Sequence, residues 1–350
     1  MKSLKYKTSE LPNVRKNEFI LPALTAGIQN QGLNNFVPKD NATILKNVIS
    51  ISANGANTGA TFYQNKEFTV LQDSYVIDWK NSKDILTDNQ YIYLTSSISK
   101  TIFGNYEWTN KAGWERIKSE KIQLPIKNNQ PDFDFMENFI TELEAQKIDR
   151  LEAYLVENDL KEYRLTVEEQ QVVDDFENGK IIFKEFKINQ LFEINSYKKR
   201  FDANKVSISE RGKPYVVRTS LKNGIRGYIN EDEQFLNEGN TISFGQDTAT
   251  MFYQEQAYFT GDKIKILKSK NDEFNKLNGL FLVATMTKSF SSFSWGGSSF
   301  NVGIIGNQLM ELPTKNKKPN YKLMQTLISA IQKLVIKDVV LYVKKRKNNA

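Results

Sequence analysis

Two stretches of the chain carry apolar residues at helical spacing, and most of the remainder alternates at strand spacing. Met136, Ile140, Leu143, Ile148, Leu151 and Leu155 step by three or four residues with one slip of five, which places them on one face of a helix. Pro131 and Asp132 just before them supply a helix start. A second stripe runs through Leu323, Leu327, Ile331, Leu334 and Leu341, with Ile328, Val335 and Val339 beside it. Each helix is expected to span roughly 25 to 30 residues, about 40 Å at 1.5 Å per residue. Elsewhere TILKNVISISA, EFTVLQDSYVIDW, NTISFG and DKIKIL read as strands between Asn-Gly, Gly-Asp and Asn-Thr-Gly turns. A short helix is expected near Leu277, in NDEFNKLNGLFLVATM.

The same text occurs twice. LPIKNNQPDFDFMENFI, from Leu124, matches LPTKNKKPNYKLMQTLI, from Leu312, so that Leu124, Pro125, Lys127, Asn128, Pro131, Met136 and Ile140 recur 188 positions later. Upstream, ATFYQNKEFTVLQD around Phe62 parallels ATMFYQEQAYFTGD around Phe252, and QNQGLNNFV parallels LKNGIRGYI. A small drift in offset fits loops of unequal length between fixed elements, so two copies of a domain followed by a helix are the simplest account. The second copy opens with FKEFKINQLFEINSYKKR, Phe183–Arg200, and the first is expected to lack that element.

Composition narrows the chemistry. With neither cysteine nor histidine, thiolate nucleophiles, Ser-His-Asp and Cys-His dyads, cysteine-ligated zinc and histidine metal sites are excluded, which favours a binding protein without metal or cofactor. No apolar run approaches the ~18 residues of a membrane span, and the N-terminus has no signal-peptide core, so no membrane association and a cytoplasmic location are expected. The net charge of +7 is unevenly spread: Asp132–Glu162 sums to −7, Pro313–Ala350 to +9 and the rest to +5. An acidic and a basic helix, each with one apolar stripe, are complementary partners for an antiparallel coiled pair. The other reading is that each helix packs on its own domain.

Enzymatic motifs are weak. There is no Asn/Asp-Pro-Pro-aromatic methyltransferase tetrapeptide, and SWGGSSF lacks the lysine of a phosphate loop. Pro131, Asp132, Glu144 and Lys147 have the wrong spacing for a nuclease centre and lie on the amphipathic helix. Candidate DNA contacts are the amides Gln29, Asn30, Gln31, Asn54 and Asn57, suited to adenine edges, with Lys46 nearby. In the second half, Lys198, Lys199, Arg200, Arg211, Lys213, Arg218, Lys222 and Arg226 form a basic run interleaved with Tyr197, Tyr215 and Tyr228, which suits phosphate anchoring. Ser294 and Trp295 are candidates as a groove-contacting loop.

In its order of globular half, LPxKNxxPDF junction, FMENFITELEAQKIDRLEAYL helix and FKEFKINQLFEI opening, the chain resembles the specificity subunits of type I restriction-modification systems and the related subunits of BcgI-like type IIB enzymes. The resemblance implies an α+β fold: two strand-rich target-recognition domains separated by two long helices packed as an antiparallel coiled pair. The expected divisions are 1–125 (first recognition domain), 126–165 (first helix), 166–182 (linker), 183–312 (second recognition domain) and 313–347 (second helix). It further implies a non-catalytic subunit that reads a split target on double-stranded DNA and docks methyltransferase and possibly restriction subunits, with no small-molecule substrate. A 40 Å helix corresponds to about twelve base pairs at 3.4 Å each. The alternative is a structural adaptor that recruits partners through its helices and never reads DNA.

Overall fold

The computed structural model describes residues 7–40, 42–80, 86–291 and 300–348, and the chain divides into two units, Met1–Leu151 and Glu152–Ala350. Unit 1 contains β1 (Leu21–Leu24), β2 (Leu33–Val37), β3 (Val48–Ser52), β4 (Thr61–Gln64), β5 (Thr69–Val70), β6 (Ser74–Ile77), α1 (Asp88–Ile102), α2 (Trp114–Ile117), β7 (Ile126–Lys127), β8 (Gln130–Pro131) and most of α3 (Phe133–Glu157). Unit 2 takes the last turn of α3, then α4 (Val167–Glu177), β9 (Phe183–Lys187), α5 (Ile188–Leu191), β10 (Phe192–Ser196), β11 (Lys213–Val216), β12 (Ile225–Ile229), β13 (Thr241–Gly245) and β14 (Met251–Gln254). It closes with β15 (Phe259–Thr260), β16 (Ile264–Ser269), α6 (Lys276–Phe290), α7 (Val302–Asn307), β17 (Leu309–Lys315), β18 (Lys318–Pro319) and α8 (Tyr321–Asn348).

The duplication seen in the sequence is a duplication of topology. One sheet has the order β2-β1-β5 in unit 1 and β12-β11-β15 in unit 2, each with an antiparallel and a parallel pairing and a register shift at the same place. The other is β4-β3-β6 in unit 1 and β14-β13-β16-β10 in unit 2. The difference is the opening element of the second copy: β10 extends that sheet along β16, and β9 pairs with β17. Ile188, Leu191 and Phe192, from the same opening segment, are buried in the unit 2 core. Among the described residues of unit 1 no strand covers the outer edge of β6.

Central strands β3 and β13 are buried along their whole length, so both faces are covered and the serines that alternate with the apolar residues are buried as well. Their serines are not orphaned. Gln64 Nε2 donates to Ser50 Oγ at 3.1 Å, and Gln254 Nε2 to Ser243 Oγ at 3.0 Å, which removes the cost of burying the hydroxyls.

Both long helices start on the same cap. The Asp132 side chain accepts the Phe135 N–H at 2.9 Å and the Asn320 side chain the Leu323 N–H at 3.1 Å, each satisfying an orphan donor of the first turn. Met136 and Ile140 are buried and Met136 sits in the unit 1 core, whereas Leu143 is exposed and Ile148 and Leu151 are half-buried. In α8 the residues inside the core are Tyr321, Met324, Leu327 and Ala330. Of the expected stripe, Leu323 is half-buried, and Ile331, Leu334 and Leu341 are exposed. The first half of α8 therefore spends its apolar face on its own domain. Within unit 2, the last turn of α3 meets the end of α8: Leu155 is buried, Glu152 pairs with Lys347 and with Lys161, and Lys344 lies 4.7 Å from the Tyr163 ring.

The 166–182 stretch, expected as a linker, contains α4. Thr166 and Glu169 form a reciprocal capping box, and the Glu169 carboxylate accepts from Ser329 Oγ at 2.7 Å and Lys333 Nζ at 2.8 Å on α8. No helix among the described residues is long and apolar enough to cross a membrane.

Candidate nucleic-acid interface

Each unit raises the same unusual turn between the first two strands of its β1-type sheet. In unit 1 Asn30, Gln31 and Gly32 have φ of 47°, 57° and 86°; in unit 2 Lys222, Asn223 and Gly224 have 49°, 56° and 76°. Three successive left-handed residues are costly for side chains with a Cβ, so such a turn persists only where its surroundings hold it. The glutamine that satisfies the buried serine also does this. Gln64 Nε2 donates to the Gln31 carbonyl at 3.2 Å and Gln254 Nε2 to the Asn223 carbonyl at 3.1 Å. A Cβ on Gly224 would stand 3.0 Å from the Phe252 ring and would be strained at its positive φ, so glycine is required there. The tips carry exposed Gln29, Asn30 and Gln31 in one unit and exposed Lys222 in the other.

The other amides of unit 1 are less available. Asn54 Nδ2 donates to Asp73 at 2.9 Å, and its oxygen is buried without a partner among the described residues. Half-buried Asn57 gives its carbonyl to the Ala60 N–H, as a turn former does. Lys46 lies in a basic hollow of about 450 Å³ with Arg15, Lys39, Lys66 and Glu67. The ammonium of Lys39, 2.5 Å from Glu67, holds that carboxyl below its usual range, with Lys46 adding to the effect.

The basic run of unit 2 separates into distinct roles. Lys199 lies 4.2 Å from the Phe235 ring and 4.9 Å from that of Phe201. The backbone of Lys198 is tied to Asn237, that of Arg211 to Ser209, and the Lys213 ammonium stands 4.0 Å from Glu233. Arg226 is exposed near Tyr215, whose phenol burial pushes up and Arg226 pulls partly back.

Arg200 and Arg218 are brought together. Arg218 is hydrogen-bonded to Asp247 and lies 3.9 Å from Asp262, Arg200 lies 3.6 Å from Asp262, and Lys263 donates to Asp247 at 2.9 Å. With Phe201, Tyr215 and Thr248 the two arginines line an open cleft of about 480 Å³. Asp247, Asp262 and Lys263 were not singled out from the sequence. Their only signal is position: each lies at or beside a Gly-flanked turn between two strands. Ser294 and Trp295 lie outside the described residues. Among the described residues there is no group of three or more acidic side chains that could hold a metal ion.

Each of the two units is strand-rich, leads into a long helix and carries one left-handed turn with its own side chains. The chain belongs to the type I restriction modification DNA specificity domain family, whose model matches residues 2–153 and 181–348; such specificity subunits are non-catalytic components of restriction-modification systems. It is 24% identical over 335 residues to the specificity subunit of the type II restriction enzyme BcgI from Heyndrickxia coagulans, covering 94% of this chain and 91% of that one. Its fold is similar to the crystal structure of a type I restriction-modification S subunit from M. genitalium, with a TM-score of 0.63 and 14% identity over all of this chain and 89% of the other.

Proposed function

We propose that the chain reads a bipartite sequence on double-stranded DNA, one half-site per unit, and that its long helices pair antiparallel, set the unread spacing and dock methyltransferase and restriction subunits. The observation that carries this reading is the repeated left-handed turn: one backbone device displayed twice, with exposed Gln29, Asn30 and Gln31 at one tip and exposed Lys222 beside Asn223 at the other. Equal scaffolds with unequal tips suit a target whose halves differ. Phosphate contacts from Lys222, Arg226 and the Lys46 hollow would position the duplex, and groups at the turns would read base edges. The helices support docking because Leu334, Val335, Leu341 and Tyr342 leave an apolar strip of α8 exposed, more than a solvated helix face needs.

Selection from a random duplex pool followed by footprinting tests the proposal, with the chain alone and with its co-purified methyltransferase. Two protected half-sites of different sequence are expected. Absence of sequence preference in both preparations would sink it and leave the adaptor reading, under which joint replacement of Arg218, Lys222 and Arg226 leaves the assembled complex unaffected.

A further inference from the structure

The two units build the same loop corner from different residues. Matching backbone bonds define the correspondence: Val217 N–H to Gly224 O and Thr25 N–H to Gly32 O; Gly261 N–H to Val216 O and Leu71 N–H to Leu24 O; Gln246 N–H to Lys263 O and Ala53 N–H to Asp73 O. Arg218, Asp247, Asp262 and Lys263 of unit 2 therefore stand where unit 1 has Ala26, Asn54, Gln72 and Asp73. One contact survives with its polarity exchanged. In unit 1 the β3–β4 loop donates, Asn54 to Asp73 at 2.9 Å; in unit 2 that loop accepts, Asp247 from Lys263 at 2.9 Å.

The arginine has no counterpart, and the backbone makes room for it. Gly245, at the end of β13, would with a Cβ come within 3.2 Å of Arg218 Cγ and 2.7 Å of the Thr248 and Thr250 hydroxyls. The equivalent residue at the end of β3 is Ser52, in the unit where Ala26 replaces the arginine. Arg218 keeps 31% of its side chain exposed and lines the cleft. A guanidinium has five N–H donors; Nη1 is hydrogen-bonded to Asp247 and Nη2 lies 3.9 Å from Asp262, so these carboxylates do not use up its donors. Carboxylates on either side also fix a planar fork that a lone arginine would hold only at an entropic cost. A fixed fork matches the O6 and N7 acceptors of guanine, and a neighbouring carboxylate oxygen can accept from the N4 amino group of cytosine.

We propose that Arg218, held by Asp247 and Asp262, is a base-reading residue of unit 2 that selects a G·C pair in its half-site, and that Ala26 leaves unit 1 without this preference. The inference rests on the DNA-reading function proposed above. It is tested by pool selection and competition binding with the full chain as wild type, Arg218→Ala, Arg218→Lys and Gly245→Ser. Arg218→Lys keeps the charge and removes the fork, and Gly245→Ser keeps Arg218 while pressing on the Thr248 and Thr250 hydroxyls and on the Arg218 stem. Discrimination at one G·C position should fall roughly tenfold to a hundredfold in one half-site, with the other half-site unchanged and the thermal melts of Arg218→Lys and wild type close together. An even loss over all sequences, or wild-type preference in Arg218→Lys, would overturn the proposal, since phosphate anchoring behaves that way. A wild-type chain with no preference at all would overturn the DNA-reading function itself. If Arg218→Ala fails to fold, the lysine variant decides the matter.

Discussion

Glu169 shows how much a single residue can contribute here. Burial of its side chain raises the carboxyl pKa, but hydrogen bonds from Lys333, Ser329 and the Thr166 N–H outweigh that and bring it to about 2. A folded-state value below the unfolded value of about 4.5 means the carboxylate stabilises the fold above that pH and loses its contribution as the pH falls toward 2. Denaturant titrations at pH 7 and pH 3 should differ by about 2 kcal/mol from this group, because part of its contribution persists at pH 3, and Glu169→Gln should flatten the difference. Gln254 gives a second test, because one buried amide satisfies both Ser243 and the Asn223 carbonyl. Gln254→Leu should cost about 1 to 3 kcal/mol in urea unfolding. Only part of this was legible in the sequence. Thr166-Val-Glu-Glu reads as a capping box once attention falls on it, but Ser329 and Lys333 lie 160 and 164 residues away and nothing local announces them.

At the level of elements, periodicity showed that α3 and α8 exist and left the rotation of α8 open. Its sequence is apolar on more than one face, with Ile328, Val335 and Val339 beside the stripe of Leu323, Leu327, Ile331, Leu334 and Leu341, so several registers satisfy the same spacing. Packing chose the face of Met324, Leu327 and Ala330, where alanine lets the helix approach the domain closely. The consequence separates two similar substitutions. Leu327→Ala removes a side chain that is 2% exposed and should cost about 2 to 5 kcal/mol. Leu334→Ala removes one that is 47% exposed and should change stability of the isolated chain by about 0.5 kcal/mol or less, while weakening capture of a methyltransferase subunit if that strip is the docking surface. Equilibrium unfolding and a pull-down on the same two variants check both halves of the statement.

For the whole molecule, the repeat was the most legible feature because elements and turn geometry were kept while side chains at the tips diverged. Left-handed residues recur in step, Asn47 with Asn240 and Asp73 with Lys263, although the second pair has opposite charge. The same divergence hid Asp247, Asp262 and Lys263, whose places in unit 1 are taken by Asn54, Gln72 and Asp73. Two units with their own cores should also melt separately. The unit 2 core holds β10, α4 and the first half of α8 as well as its sheet, whereas among the described residues the sheet of unit 1 has one strand fewer. Buried apolar area is the main favourable term in folding, so calorimetry should resolve two transitions, with unit 1 unfolding at the lower temperature. Glu169→Ala strips a partner from the nearly buried Lys333, 18% exposed, and should lower the upper transition alone. A single transition that moves as a whole would mean that the two units fold as one cooperative body.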